Sequence, residues 1–306
     1  MALLNMKSST LRLPSSIDAL LPADIGLVPA KTIAFSFRYG MESLIRNLVS
    51  EISAAGSASL LTNVKCDKIE VNSSGGFTLY AKKILDNSHL ELNVDSLFMC
   101  LPAYKAAGLL SGHLFPDELL DKIRLTSLPW ANVAVVVLEL DGHVPPPHLG
   151  FGHLVPRCED LITLGVIYDS VCLPHMDATK TISTRYTVMM SPPATWMDQF
   201  FSASEKKTLP IGLADEMEVF ALSVLTRHLG IQNPQVLGRQ VSILPNCIPQ
   251  YPVGHTENID LFRCGIRSCL PAHLADRLKF VGNSYDGVGI ADVVLSSVMA
   301  VDSIFG

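Results

Sequence analysis

The sequence predicts a mixed α/β protein, and three features carry that prediction. Met41, Leu44, Ile45, Leu48, Val49 and Ile52 recur at the spacing of one buried helical face, with Gly56 where a left-handed helix end belongs. Short β-rich runs follow at 60–61, 69–71, 77–81 and 90–94, punctuated as a meander by Asn72-Ser73-Ser74-Gly75-Gly76 and Asp86-Asn87. The chain closes with a strand at 278–281, a tight loop at 282–289 and a helix at 291–304.

The segments between follow the same rules. Residues 1–30 carry Pro, Ser and short apolar clusters without a sustained period, and read as a lead-in with room for one short helix. An apolar strand at 96–101 ends in Pro102-Ala103. A helix is predicted at 116–124, then a Val-rich strand at 133–140, a Pro145-Pro146-Pro147 break, and strands at 161–168 and 184–190. A long helix at 213–229 has Gly230 just past its end, and a strand at 236–244 follows. There is no internal repeat.

Composition narrows the function classes. At 306 residues the chain is long enough for one large domain or two interleaved ones. Hydrophobic residues make up 48% and charged ones 17%, with a mean hydropathy of +0.33, far from the composition of disorder. Net charge is −6 and pI about 5.8, without a Lys/Arg block, so nucleic acid is excluded as a partner. The longest apolar runs, 131–138 and 288–299, fall short of the roughly 18 uncharged residues of a membrane span. Lys7 and Arg12 interrupt any signal-peptide layout. The 7 cysteines form no Cys-x-x-Cys pair and read as reduced thiols of an intracellular protein.

The closing unit, LKFVGNSYDGVGIADVVLSSVMAVD, offers the most chemistry. Its glycines let a backbone approach a ligand, and the following helix begins with unpaired N–H groups at the positive end of its dipole. That suits an electron-rich group; an ordinary strand-to-helix turn has the same pattern. The run Gly150-Phe151-Gly152-His153-Leu154-Val155-Pro156 could wall a planar ligand or simply pack in a core. Other constellations fail. His143, His148 and His153 have no supporting cysteine or carboxylate spacing for a metal. Ser284 lacks the glycine two positions on that a nucleophile elbow needs. Gly287-Val288-Gly289 is followed by Asp292 and not glycine, so it is no dinucleotide fingerprint.

In order along the chain, FSFRYGMESL (35–44), the strand ending LPA (101–103), GFGHLVP (150–156), LGVIYDSVCLP (164–174), YTVMM (186–190), NCIPQYPVGH (246–255) and VGNSYDGVGIADVV (281–294) resemble the successive blocks of the animal-type protoporphyrinogen oxidase family. The resemblance covers residues 35–306. It implies a monoamine-oxidase-like FAD-dependent oxidoreductase fold: an incomplete Rossmann-type FAD half (31–104 with 275–306) and a mixed-sheet substrate domain (105–274) after the lead-in. It implies FAD as cofactor, protoporphyrinogen IX and oxygen as reactants in haem biosynthesis, a homodimer, and peripheral attachment to the mitochondrial inner membrane. Carried over residue by residue, flavin contacts fall on Val288, Gly289 and Ile290, and an adenine-side contact on Cys66, where the family has Val. Pocket walls fall on Phe151, Leu154 and Met189. No acid–base side chain stands out. Thr256 stands where the family often has an aromatic.

The family also begins with a strand–GxGxxG–helix unit that grips the FAD pyrophosphate, followed by a membrane-docking insert and a substrate-pairing Arg. No Gly-x-Gly-x-x-Gly occurs in these 306 residues. The chain alone is therefore expected to bind FAD weakly, to turn over poorly, and to expose apolar surface on the helix near 41–52 and the strand near 96–101. Two rival readings are an amine-oxidase or carotenoid-desaturase type of flavoprotein, and a non-catalytic porphyrin-binding remnant without flavin.

Overall fold

Turn chemistry and strand alternation shape the first part of the chain, and a glycine-rich loop shapes the last. The computed structural model describes residues 3–6, 36–37, 39–110, 114–116, 128–148, 150–177, 182–202 and 209–306. In chain order these form β1 (Leu3–Met6), α1 (Glu42–Ala54), β2 (Ala58–Leu61), β3 (Val64–Val71), β4 (Phe77–Lys83), β5 (His89–Val94), β6 (Leu97–Met99) and α2 (Ala103–Leu110). Next come β7 (Trp130–Asp141), β8 (Gly152–Leu154), β9 (Thr163–Ile167), α3 (Asp169–Cys172), β10 (Ser183–Met190), α4 (Ala194–Ser202), α5 (Ile211–Leu229) and β11 (Val236–Pro249). Helices α6 (His255–Cys269) and α7 (Ala272–Ala275), strand β12 (Leu278–Phe280) and helix α8 (Ile290–Phe305) complete the described part.

Two compact units divide the chain: Met1–Pro129 with Tyr251–Gly306, and Trp130–Gln250. In the first, β3, β4 and β5 form the expected antiparallel meander. The Asn72 side-chain oxygen accepts the Ser74 and Gly76 amides at 3.1 and 2.8 Å and so closes the β3–β4 turn. A bulge between Cys66 and Lys68 inserts one residue in β3. The inward set therefore runs Val64, Cys66, Ile69 and not every second residue.

Strands β6 and β12 pair in parallel, with Leu97 opposite Leu278 and Met99 opposite Phe280, all four buried. This pairing joins two segments far apart in sequence and places the end of β6 beside the loop after β12. Helix α6 packs on β12 through an edge-on contact between Phe262 and Phe280, centroids 4.7 Å apart. Helix α2, with Ala103, Ala106, Ala107 and Leu110 buried, packs against β3. Both α2 and α6 thus belong to this unit.

Three expectations change here. Residues 3–6 of the predicted irregular lead-in pair as β1 with β2, Leu3 opposite Leu61; its short helix falls on residues outside those described. The apolar face of α1 is not buried. Leu44, Leu48 and Ile52 are half-buried while Ile45 is 59% exposed, because α1 packs mainly on the single short strand β2. The strand near 96–101, expected to expose apolar surface, instead buries Leu97 and Met99, because β12 pairs alongside it. The helix predicted at 116–124 lies, but for its first residue, outside the described residues.

In the second unit a five-stranded antiparallel sheet runs β11-β7-β10-β9-β8. Strict alternation sends Ala134, Val136, Leu138 and Leu140 of β7, and Tyr186, Val188 and Met190 of β10, onto one face. Helices α4 and α5 cover that face with Trp196, Phe200, Met217, Ala221 and Leu225. Helix α5 starts after Pro210 and ends at Gly230, whose φ of 70° lets its amide and that of Ile231 bond back to Thr226 and Leu225. Replacing the fully buried Leu225 by Ala should cost about 2–5 kcal/mol and bring the urea midpoint of this unit down, a loss that denaturation curves will show.

Candidate functional site

The loop between β12 and α8 is held from three sides. Val281 N–H bonds to Met99 C=O at 3.2 Å, continuing the parallel pairing into the loop. Ser284, fully buried, accepts the Ala103 amide at 3.1 Å and so caps α2. Tyr285 donates its hydroxyl to Leu101 C=O at 3.2 Å; burial pushes that phenol far up from its ordinary value. These bonds tie the first half of the loop to the end of β6.

A second set comes from the QYPVGH segment at the start of α6. His255 Nε2 donates to Tyr285 C=O at 3.2 Å, which places the ring proton on that nitrogen. Its ring stacks on Tyr251, centroids 3.8 Å apart and planes 16° from parallel. The Tyr251 hydroxyl donates to Asn283 C=O at 2.7 Å and accepts Gly287 N–H at 3.1 Å. Arg263 holds both oxygens of Asp286 at 2.7 Å. Residues 251–255 and the loop at 281–289 are therefore one assembly in space.

The predicted flavin contacts Val288, Gly289 and Ile290 sit together where this loop becomes α8. Val288 is 42% and Ile290 56% exposed. Gly289 N–H bonds to the Asp292 carboxylate at 3.2 Å, while the next amides of the first turn have no intrahelical acceptor. Gly287 is the constrained glycine. Its φ is 149°, and a side chain there would run into the Asp292 carboxyl group, with Cγ 2.7 Å away. Gly289, at φ −72° and ψ 151°, has a conformation open to any residue. Cys66 lies elsewhere in the unit, on the buried side of β3, its Sγ 3.6 Å from Lys68 C=O; burial pushes its thiol pKa up.

In the second unit, register settles which residues share a face. Leu154 stands opposite Gly165, Gly165 opposite Met189, and Met189 opposite Val135. These four form a cross-strand row on the face away from α4 and α5. Gly165 is required there, since a Cβ would come within 2.5 Å of His153 C=O. Met189 is half-buried, Leu154 is 88% exposed, and Phe151, just before β8, is 64% exposed with its carbonyl accepting Tyr168 N–H. The structure thus brings Leu154 and Met189 onto one face, while Phe151 precedes β8 and is not part of that row.

His153 turns the other way. Its Nδ1 meets the Tyr168 hydroxyl at 2.8 Å and its Nε2 meets His228 Nδ1 at 3.0 Å. Burial and the His228 ring push its pKa below the ordinary 6.5. The sequence did not flag this pairing, because His228 sits 75 residues away on α5.

The chain has the fold of the amine-oxidase-like, FAD-dependent oxidoreductases. A protein of Exiguobacterium sp. 255-15, provisionally named a protoporphyrinogen oxidase, superposes with a TM-score of 0.62 at 20% identity, covering 88% of this chain and 52% of its own. Reduced UDP-galactopyranose mutase superposes with a TM-score of 0.60 at 12% identity, covering 87% and 50%. No family model matches the chain. Human protoporphyrinogen oxidase is 31% identical over 277 residues, which cover 89% of this chain and 52% of that protein. The chain is a relative of the protoporphyrinogen oxidases and spans about half the length of the relatives it matches.

Two outcomes follow from this geometry. Gly287→Ala should cost about 1–3 kcal/mol through backbone strain and displacement of Asp292, and Gly289→Ala less than about 1 kcal/mol, as read by urea unfolding. His153 prefers its neutral form in the fold, so unfolding takes up protons once the pH drops below 6.5. Stability should hold above that pH and decline as pH falls toward the folded ring's lowered value. His153→Gln should flatten that decline in denaturation midpoints measured between the two.

Proposed function

We propose that this chain carries the flavin-ring side and the porphyrinogen-facing sheet of an FAD-dependent oxidase that converts protoporphyrinogen IX to protoporphyrin IX, with oxygen as acceptor, in haem biosynthesis. The observation that carries this reading is the similarity to human protoporphyrinogen oxidase along 89% of the chain, which spans both compact units. On this reading residues 31–104 and 275–306 belong to the FAD-binding half and 105–274 to the substrate-binding domain. The animal relatives favour a mitochondrial setting, and we extend that to peripheral attachment at the inner membrane and a homodimer. Among the described residues no helix is long and apolar enough to cross a membrane.

The residues at α8 suit a flavin ring. Val288 and Ile290 present exposed apolar surface, and the first-turn amides face the end of the helix where the dipole favours negative charge. Bound FAD supplies the electron acceptor; the protein supplies contact and orientation. Val288, Gly289 and Ile290 seat the ring edge at the end of the anchored loop. Cys66 is assigned to the adenine side. Phe151, Leu154 and Met189 offer apolar surface to the macrocycle, and none of them moves a proton. A porphyrin-binding role without flavin is the second reading.

On this reading the described loop meets only the ring side of the cofactor, and residues 1–306 contain no Gly-x-Gly-x-x-Gly sequence for its pyrophosphate, so this stretch of chain should bind FAD only weakly. FAD should hold less than about a tenfold advantage over riboflavin, a difference of about 1.4 kcal/mol. Flavin fluorescence titration of residues 1–306 measures both affinities. Porphyrin formation from protoporphyrinogen should run well below the rate of a full-length oxidase, and Met189→Lys should weaken porphyrin binding without changing flavin affinity. Stoichiometric FAD uptake with rapid protoporphyrin formation would overturn the weak-binding expectation. Porphyrin binding with no flavin uptake would establish the second reading.

A further inference from the structure

We propose that Tyr251 is a positioning residue, whose hydroxyl sets the half of the glycine loop that presents Val288, Gly289 and Ile290. This rests on the flavin reading of that loop. Residues 282–289 contain three glycines, so an untethered loop would sample many conformations at a large entropic cost of ordering. The first half is fixed from β6 and α2 by Ser284 and Tyr285. Those bonds end at residue 285, before the residues that matter for contact. Beyond that point the tethers are Arg263 on Asp286, the Asp292 carboxylate on Gly289, and Tyr251 on Gly287.

Of these, Tyr251 has the greatest geometric leverage. The Arg263–Asp286 pair is partly exposed, and solvent weakens such pairs. The Asp292 bond lies within the first turn of α8 and does not fix that turn to the rest of the unit. The Tyr251 hydroxyl joins Asn283 C=O to Gly287 N–H, bridging the two halves of the loop through a single oxygen. Gly287 has no side chain to set its unusual φ of 149°, so a bond to its amide is the direct means of holding that conformation. Tyr251 is itself clamped: its ring stacks on His255, whose Nε2 is committed to Tyr285 C=O. Both rings of the 246–255 block thus hold the loop, one before and one after Asp286.

The test compares Tyr251→Phe, which keeps the stacked ring and loses only the hydroxyl, with Tyr251→Leu, which loses both. Amide hydrogen exchange is read in the ligand-free chain, and FAD and riboflavin affinities are then titrated. For Tyr251→Phe the Gly287 amide should exchange about five- to tenfold faster and both flavins should bind weaker by a similar factor, with the melting temperature little changed. Unchanged Gly287 exchange in Tyr251→Phe overturns the proposal. So does a result in which Tyr251→Phe behaves as the wild type in flavin affinity while Tyr251→Leu does not, which would make the ring a packing element only. If the wild-type chain takes up no flavin, the cofactor reading of the loop falls, while the exchange result still decides whether Tyr251 sets the loop.

Discussion

The hydrogen bonds that fasten the loop between β12 and α8 are the constraint on which the site depends. A stretch with glycine at 282, 287 and 289 has no intrinsic preference for one shape. It is given one by partners from two distant parts of the chain: Ala103 and Leu101 after β6, and Tyr251 and His255 at the start of α6 with Arg263 in its middle. Each such bond contributes only about 0.5–1.5 kcal/mol net, but together they remove the alternatives that glycine would otherwise allow. What remains is a helix start with exposed Val288 and Ile290 beside amides that lack intrahelical acceptors.

That arrangement is possible because β6 and β12 lie side by side in parallel. Their pairing carries Val281 onto Met99 C=O and brings the N-terminus of α2 within reach of Ser284. The other unit solves a different problem with the same economy. Alternation along β8 sends His153 toward Tyr168 and α5 while Leu154 points to the opposite face with Met189. One short strand therefore secures itself to the core and still presents an apolar side chain outward.

Much of the fold was legible in the sequence. The turn clusters at 72–76 and 86–87, the Val-rich β7, the long α5 with Gly230, and the closing strand, loop and helix all lie where periodicity and turn residues put them. Helix α6 escaped notice because Glu257, Asn258, Asp260 and Arg263 interrupt its apolar pattern, although His255, Ile259, Phe262 and Ile266 do recur at helical spacing. Periodicity marked the face of α1 as apolar and by itself suggested burial; the exposure of Met41, Ile45 and Val49 instead follows the expectation drawn from the resemblance. For the site, the motif blocks located the loop, yet the roles of Tyr251 and His255 depend on contacts across about thirty residues or more. Local pattern does not encode such contacts. The constrained glycine is also Gly287 and not Gly289, a distinction that needs the backbone angle.

On the proposed reading, the loop end at α8 is where this chain meets a flavin. Mapping amide chemical-shift changes in the full chain during FAD addition tests it most directly. The changes should concentrate on Gly287 to Asp292, with the Ser284 and Tyr285 amides nearly unmoved because that half of the loop is already fixed. Changes clustered on another surface, or none at flavin concentrations that saturate binding, would contradict it.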